Sequence, residues 1–206
     1  MSKTFKEQMQ EKLKKALERY FSDRLGTLET AEIDRVLETL HKGISLEHNS
    51  LVDMRKEAQN SGLPSDQIDN IIEGLSDDIV DLEEMTTLGN ELATLALYKK
   101  IERRIKAIGN HYIKGFKSQK GSNVDYLIKI LPTLSSVSYY AAYSELRCIN
   151  NCIKHSGVVS AALAKFPGWT EGQALSGLGG AYDRLKPQVV KFIRALATEA
   201  ARVRTT

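Results

Sequence analysis

Two cysteines, four prolines and a single tryptophan are all that this chain of 206 residues contains of three residue types that shape many folds. With only Cys148 and Cys152, one helical turn apart, it has no disulfide framework, and the pair reads as two small buried hydrophobes. Few prolines and few alternating β-branched runs leave strands little to build on. No apolar stretch approaches the roughly 18 residues that cross a bilayer. The opening Met-Ser-Lys-Thr-Phe-Lys-Glu carries no signal-peptide apolar region, so a cytoplasmic protein without membrane contact is expected. Internal repeats and low-complexity tracts are absent. Cys148, Cys152 and His155 stand at i, i+4 and i+7, but no further Cys completes a structural zinc site, so neither metal nor cofactor is expected. The glycine group 176–180 lacks the Lys-Ser/Thr ending and the preceding strand of a phosphate loop.

What is present is ordinary for a globular chain: 42% hydrophobic and 27% charged residues, enough for a full core. Apolar residues recur at helical spacing almost throughout. Phe5, Met9, Leu13, Leu17 and Phe21 predict a first helix ending at Gly26. A second follows Thr27 or Thr30 and stops or kinks at Gly43, and a third, short one ends near Gly62-Leu63-Pro64. Ser65 is the expected N-cap of a fourth helix carrying Ile68, Ile72, Leu75 and Ile79, and another starts near Thr86 or Thr87. The segment from Gly109 to Ser122 reads as a basic loop, and Asn123 opens a short helix ending before Pro132. Residues 136–154 form a further helix with Tyr139, Ala142, Leu146, Ile149 and Ile153 on its apolar side and Gly157 as its stop. Phe166 to Gly180, with five glycines and Trp169, is a long loop that serves either as a packing plug or as a lid. A last helix from about Ala181 to Val203 is interrupted early by Pro187. The expected fold is therefore all-α, one bundle domain of six to eight helices over residues 1–206, with 1–62 as a subdomain.

Net charge is only +3, but it is segregated. From Glu57 to Tyr98 there is no Lys or Arg, whereas Lys99, Lys100, Arg103, Arg104, Lys106, Lys114, Lys117 and Lys120 face one acid, Glu102, in the next stretch. Lys and Arg neutralise phosphates while Tyr98, Tyr112 and Phe116 could stack on unpaired bases, which makes this stretch the candidate RNA contact. A solvated helix face is the plainer alternative. The acidic stretch is a candidate partner surface.

Tyr140, Ser144, Arg147, Asn151 and His155 fall in one row along the helix over 136–154 and its end. Imidazole relays protons near neutrality, guanidinium holds phosphate through two parallel hydrogen bonds, and Asn or Tyr fixes orientation. The same row is equally compatible with a solvated face, and Lys154-His155 with cations complementing a helix C-terminus.

The run Glu145-Leu146-Arg147-Cys148-Ile149-Asn150-Asn151-Cys152-Ile153-Lys154-His155-Ser156-Gly157 resembles the late helix of HEPN-fold proteins, which in one bacterial branch reads Leu-Arg, three residues, Asn, two residues, Lys-His and a small residue. The resemblance covers roughly the last 80 residues and places a HEPN-like core at about 65–206. It implies a metal-independent endoribonuclease, or a degenerate relative binding RNA or nucleotides, acting as a homodimer in bacterial toxin–antitoxin systems or antiphage defence, with an antitoxin or other protein partner. On that resemblance His155 is the general acid/base, Arg147 stabilises the phosphorane, and Asn151, Lys154 and Tyr140 position it. Family members separate the Arg and His by four to six residues, whereas seven lie between Arg147 and His155. The competing expectation is a non-catalytic helical interaction or scaffold protein that docks a partner through its charge-segregated surfaces.

Overall fold

The computed structural model describes residues 12, 13, 16, 20, 21, 23–121 and 123–204. The first expected helix lies largely outside the described residues. Five helices follow: α1 (Ala31–Asn60), α2 (Ser65–Tyr112), α3 (Val124–Ile130), α4 (Tyr140–His155) and α5 (Leu178–Arg204). Two short 3₁₀ turns, Ser118–Lys120 and Leu134–Ser136, flank α3. Among the described residues there is no strand, only an isolated bridge between Val158 and Ala174. No described helix is long and apolar enough to cross a membrane.

The helix count falls short of six to eight because expected neighbours are fused. α1 passes through Gly43, and α2 through Thr86 and Thr87, without a break. A glycine inside a helix costs only about 1 kcal/mol relative to alanine, so the turns on either side carry the helix across. Ser65 is the first helical residue rather than the cap, since Pro64 occupies the N-cap position. α5 likewise runs through Pro187, whose missing donor falls on the exposed side of the helix. The short helix α3 is as expected: the Asn123 side chain accepts from the Tyr126 N–H at 2.9 Å.

The core is built where the second half of α2 meets α4 and α5. Leu97, Ile101, Ile105, Ile108 and Tyr112 repeat at three and four residues and are buried against Tyr143, Leu146 and Ile149 of α4 and Leu185, Val189, Phe192 and Ile193 of α5. Tyr143 and Phe192 stack with centroids 4.8 Å apart. The first half of α2 contributes no buried residue before Gly89. Paired with α1, about 45 Å long from its 30 residues, it forms a helical hairpin reaching beyond the core.

Asp34 fastens that hairpin at its base. It accepts from the Tyr182 hydroxyl at 2.8 Å and from Lys186 Nζ at 2.9 Å, joining α1 to α5. Burial alone would raise its pKa, but the hydrogen bonds from Lys186 and Tyr182 outweigh it and hold Asp34 below the ordinary 3.8. A depressed carboxylate contributes stability in full above its unfolded value, and that contribution is lost as pH falls through the folded one. Asp34→Asn is therefore expected to remove part of the drop in melting temperature below about pH 4. Thermal unfolding across the acid range measures it; an acid limb as steep as that of the unaltered protein would place the effect elsewhere.

Residues 156–177 form a plug rather than a lid. Val159 N donates to Gln173 O at 2.9 Å, Gly172 N to Val159 O at 3.0 Å and Leu175 N to Gly157 O at 2.8 Å, so the loop closes on itself. Val159, Leu163 and Leu175 enter the core.

Candidate functional site

α4 begins at Tyr140, four residues later than the expected start at Ser136. Tyr139, expected on the buried side, instead precedes the helix at φ 66°, exposed, with Lys191 Nζ 5.5 Å from its ring centroid. The helix is regular from Tyr140 to His155 and stops as expected. Gly157, at φ 63°, donates its N–H to the Cys152 carbonyl at 2.9 Å.

This regularity fixes the spacing of the polar row. Arg147 and His155 are eight positions apart, about 12 Å along the axis, and no helix break draws them together. Their surroundings also differ. Tyr140 is half-buried with its ring 6.3 Å from Phe192, and Ser144 is half-buried as well. Arg147 is half-buried, its Nε enclosed without a hydrogen-bond partner. Asn151, Lys154 and His155 are exposed and continue the face of Arg147 one and two turns on.

Inward from this row lies a second polar seam. Tyr143, Arg147 and Asn150 are spaced i, i+4 and i+7: Arg147 Nε and Asn150 Oδ1 are buried without a hydrogen-bond partner, and the buried Tyr143 hydroxyl lies beside that of Tyr98. Tyr98 and Glu102 of α2 face them. Burial first, then the Glu102 charge, pushes the Tyr98 hydroxyl up to about 12, against the opposing pull of Arg147. Burial likewise pushes the Cys148 thiol up, partly offset by the charges of Arg147 and Lys165. The Glu145 charge acts on the same thiol in the opposite sense. Arg147 itself forms no hydrogen bond or ion pair with a carboxylate among the described residues. Such an arrangement favours an anion, and phosphate suits the planar donors of arginine.

Glu145 has a different task. Buried at 4% exposure, it accepts from Arg184 through two bonds of 2.6 and 3.0 Å and from Trp169 Nε1 at 2.8 Å, tying α4 to α5 and to the plug. The sequence reading passed over Glu145, Tyr143 and Asn150. The partners of Glu145 lie 24 and 39 residues along the chain, and nothing local marks a buried polar residue as such.

The basic stretch divides in two. Lys99 pairs with Glu102 at 3.4 Å, Lys100 with Glu32 and with the Glu29 carbonyl, and Arg104 donates to the Arg24 carbonyl at 3.1 Å. Lys100 and Arg104 thus tie α2 to residues 24–32, whereas the Lys99 pair stays within α2. Arg103, Lys114, Lys117 and Lys120 are exposed, and their side-chain cations bond to no described residue. Tyr98 and Tyr112 are buried, so neither is available to stack on a base. The expected basic loop is also shorter, because α2 continues to Tyr112 and Phe116 folds back onto Gly109. A Cβ at Gly109 would stand 2.4 Å from the Phe116 ring.

Among the described residues no three His, Cys, Asp or Glu side chains gather as metal ligands. Cys148 and Cys152 are buried while His155 is exposed, so these three do not converge. Comparison with family models, with curated proteins and with solved structures finds no match for this chain.

Proposed function

We propose that this protein is a HEPN-like RNA-binding domain whose endoribonuclease chemistry is assembled across a homodimer. The observation that carries the reading is Arg147: a half-buried guanidinium with no carboxylate partner, continued outward by exposed Asn151, Lys154 and His155. Within one chain, about 12 Å separates Arg147 from His155. Asn151, however, lies four residues from each. Two α4 helices packed antiparallel about a two-fold axis at Asn151 set Arg147 of one protomer opposite His155 of its partner, twice.

In that arrangement His155 takes the proton of the ribose 2′-hydroxyl and O2′ bonds to phosphorus. The P–O5′ bond then breaks and the departing O5′ is protonated, leaving a 2′,3′-cyclic phosphate. Arg147 of the partner protomer holds the charge that builds on the phosphoryl oxygens, and Asn151 and Lys154 fix the backbone.

Affinity for single-stranded RNA is tested through its salt dependence. Changing Arg103, Lys114, Lys117 and Lys120 to Ala is expected to reduce the slope of log affinity against log salt by about 3, at about 0.7 per phosphate contact. An unchanged slope would remove this segment from the interface, and absence of RNA binding by the unaltered protein would reject the reading.

A further inference from the structure

Residues 21–25, which precede α1, lie along the last turns of α2 and enclose with them a recess of about 380 Å³. Arg104, Ala107 and His111 stand at i, i+3 and i+7 on one face of α2, and the small side chain of Ala107 leaves room between the other two. Phe21 and Arg24 supply the facing wall. The two segments run in opposite directions: Phe21 meets His111, with ring centroids 4.8 Å apart, and Arg104 Nη1 donates to the Arg24 carbonyl at 3.1 Å. The recess therefore has an aromatic end and a guanidinium end, about 10 Å apart along α2, room for a sugar between a ring and a phosphate.

Its charge is of one sign. No described carboxylate lines the recess; Glu29 and Glu32 border the neighbouring depression, where Glu32 is paired with Lys100. The Arg24 side chain reaches only the Tyr20 hydroxyl, at 3.5 Å, so neither guanidinium meets a carboxylate among the described residues. The bond to the Arg24 carbonyl uses one of the donors of Arg104 and orients its plane, leaving the others for an anion. At the opposite end Phe21 keeps 37% of its surface in solvent, and Asn110 adds an exposed amide at the rim. A merely solvated charge run accounts for neither the recess nor an exposed ring set beside two unpaired arginines.

We infer that this recess binds a nucleoside 5′-monophosphate, free or as the 5′ end of an RNA, with the phosphate between Arg24 and Arg104 and the base against Phe21 and His111. A phosphate monoester carries close to two negative charges at neutral pH and offers three acceptor oxygens, enough for two guanidiniums. A diester within a strand carries one charge and matches them less well. The inference does not rest on the reading of α4.

The test is calorimetric titration of the full-length protein with AMP, adenosine and ribose 5-phosphate. AMP is expected to bind at least about tenfold more tightly than adenosine, the worth of charge-assisted hydrogen bonds, and about fivefold or more above ribose 5-phosphate, the worth of one stacked base. Arg24→Gln and Arg104→Gln should each weaken AMP about tenfold and leave adenosine unchanged. Arg24 is exposed, so its substitution leaves helix content intact. Phe21→Leu should bring AMP down to the level of ribose 5-phosphate. His155→Ala should alter none of these affinities, which separates this site from the chemistry at α4. A short RNA with a 5′-phosphate that displaces AMP, where its 5′-hydroxyl twin does not, supports an RNA end as the source; displacement by neither supports the free nucleotide. Equal displacement by both, AMP binding no tighter than adenosine, or an affinity unaltered by Arg24→Gln overturns the inference.

Discussion

Replacing His155 with Ala is expected to lower cleavage of labelled single-stranded RNA by roughly 10²–10⁴-fold, the ordinary worth of a positioned acid/base. The fold should be untouched, because His155 is exposed in the last turn of α4 and bonds to no described residue. The polar row offers no carboxylate cluster to hold a catalytic metal, so excess EDTA should leave the rate as it was. Arg147→Ala should depress both rate and affinity, since a guanidinium acts on the phosphate before and during the reaction. Mixing the two single variants gives the sharpest result. If each site takes Arg147 from one chain and His155 from the other, a mixed dimer carries one intact site and one doubly damaged one. Random reassortment then restores about a quarter of full activity, half of the dimers with half of their sites. No recovery on mixing, full activity in His155→Ala, or inhibition by EDTA would each show that the chemistry has been assigned to the wrong groups.

Glu145→Ala carries the second large effect, this time on stability. The substitution removes two hydrogen bonds from Arg184 and one from Trp169. Bonds to a charged group are worth about 1.5–3 kcal/mol each, and losing one partner of a fully buried pair costs about 3–5. Arg184 is half-exposed and regains water when the carboxylate is gone, so the expected loss is smaller, about 2–3 kcal/mol. For a chain of this size that lowers the melting temperature by about 5–10 °C. Trp169 is the only tryptophan, which makes its emission a direct reporter of the plug. It should shift to the red as the indole N–H exchanges a carboxylate for water, and Glu145→Gln should give an intermediate result. An unshifted emission and a loss below about 0.5 kcal/mol would mean that the clamp does not hold the plug.

The all-α class and the apolar faces of the later helices were legible because they follow from periodicity, which burial enforces: Ala142, Leu146 and Ile149 are buried as their spacing requires. Helix ends were less so. Gly43 resembles a stop in a one-dimensional reading, yet a penalty near 1 kcal/mol does not end a helix whose flanking turns are in place. Tyr139 looked like a core residue because its position fits the period, and only the left-handed turn before α4 takes it out. For the candidate site, the polar row was visible as a row, but sequence alone could not show that it passes from half-buried to exposed along its length. Nor could it separate Lys100 and Arg104, which stitch the fold, from Arg103 and Lys117, which do not. The carboxylates and carbonyls that decide this lie about 70 residues or more away in the chain.

One uninterrupted helix carries both the exposed ridge of Leu88 and Leu92 and the Tyr98–Glu102 contact with α4. From Leu92 to Tyr98 is six residues, about 9 Å of rigid rod. Because the helix is continuous, ridge and seam keep one register: a single residue inserted between Leu92 and Tyr98 would turn one relative to the other by about 100° and move them apart by about 1.5 Å.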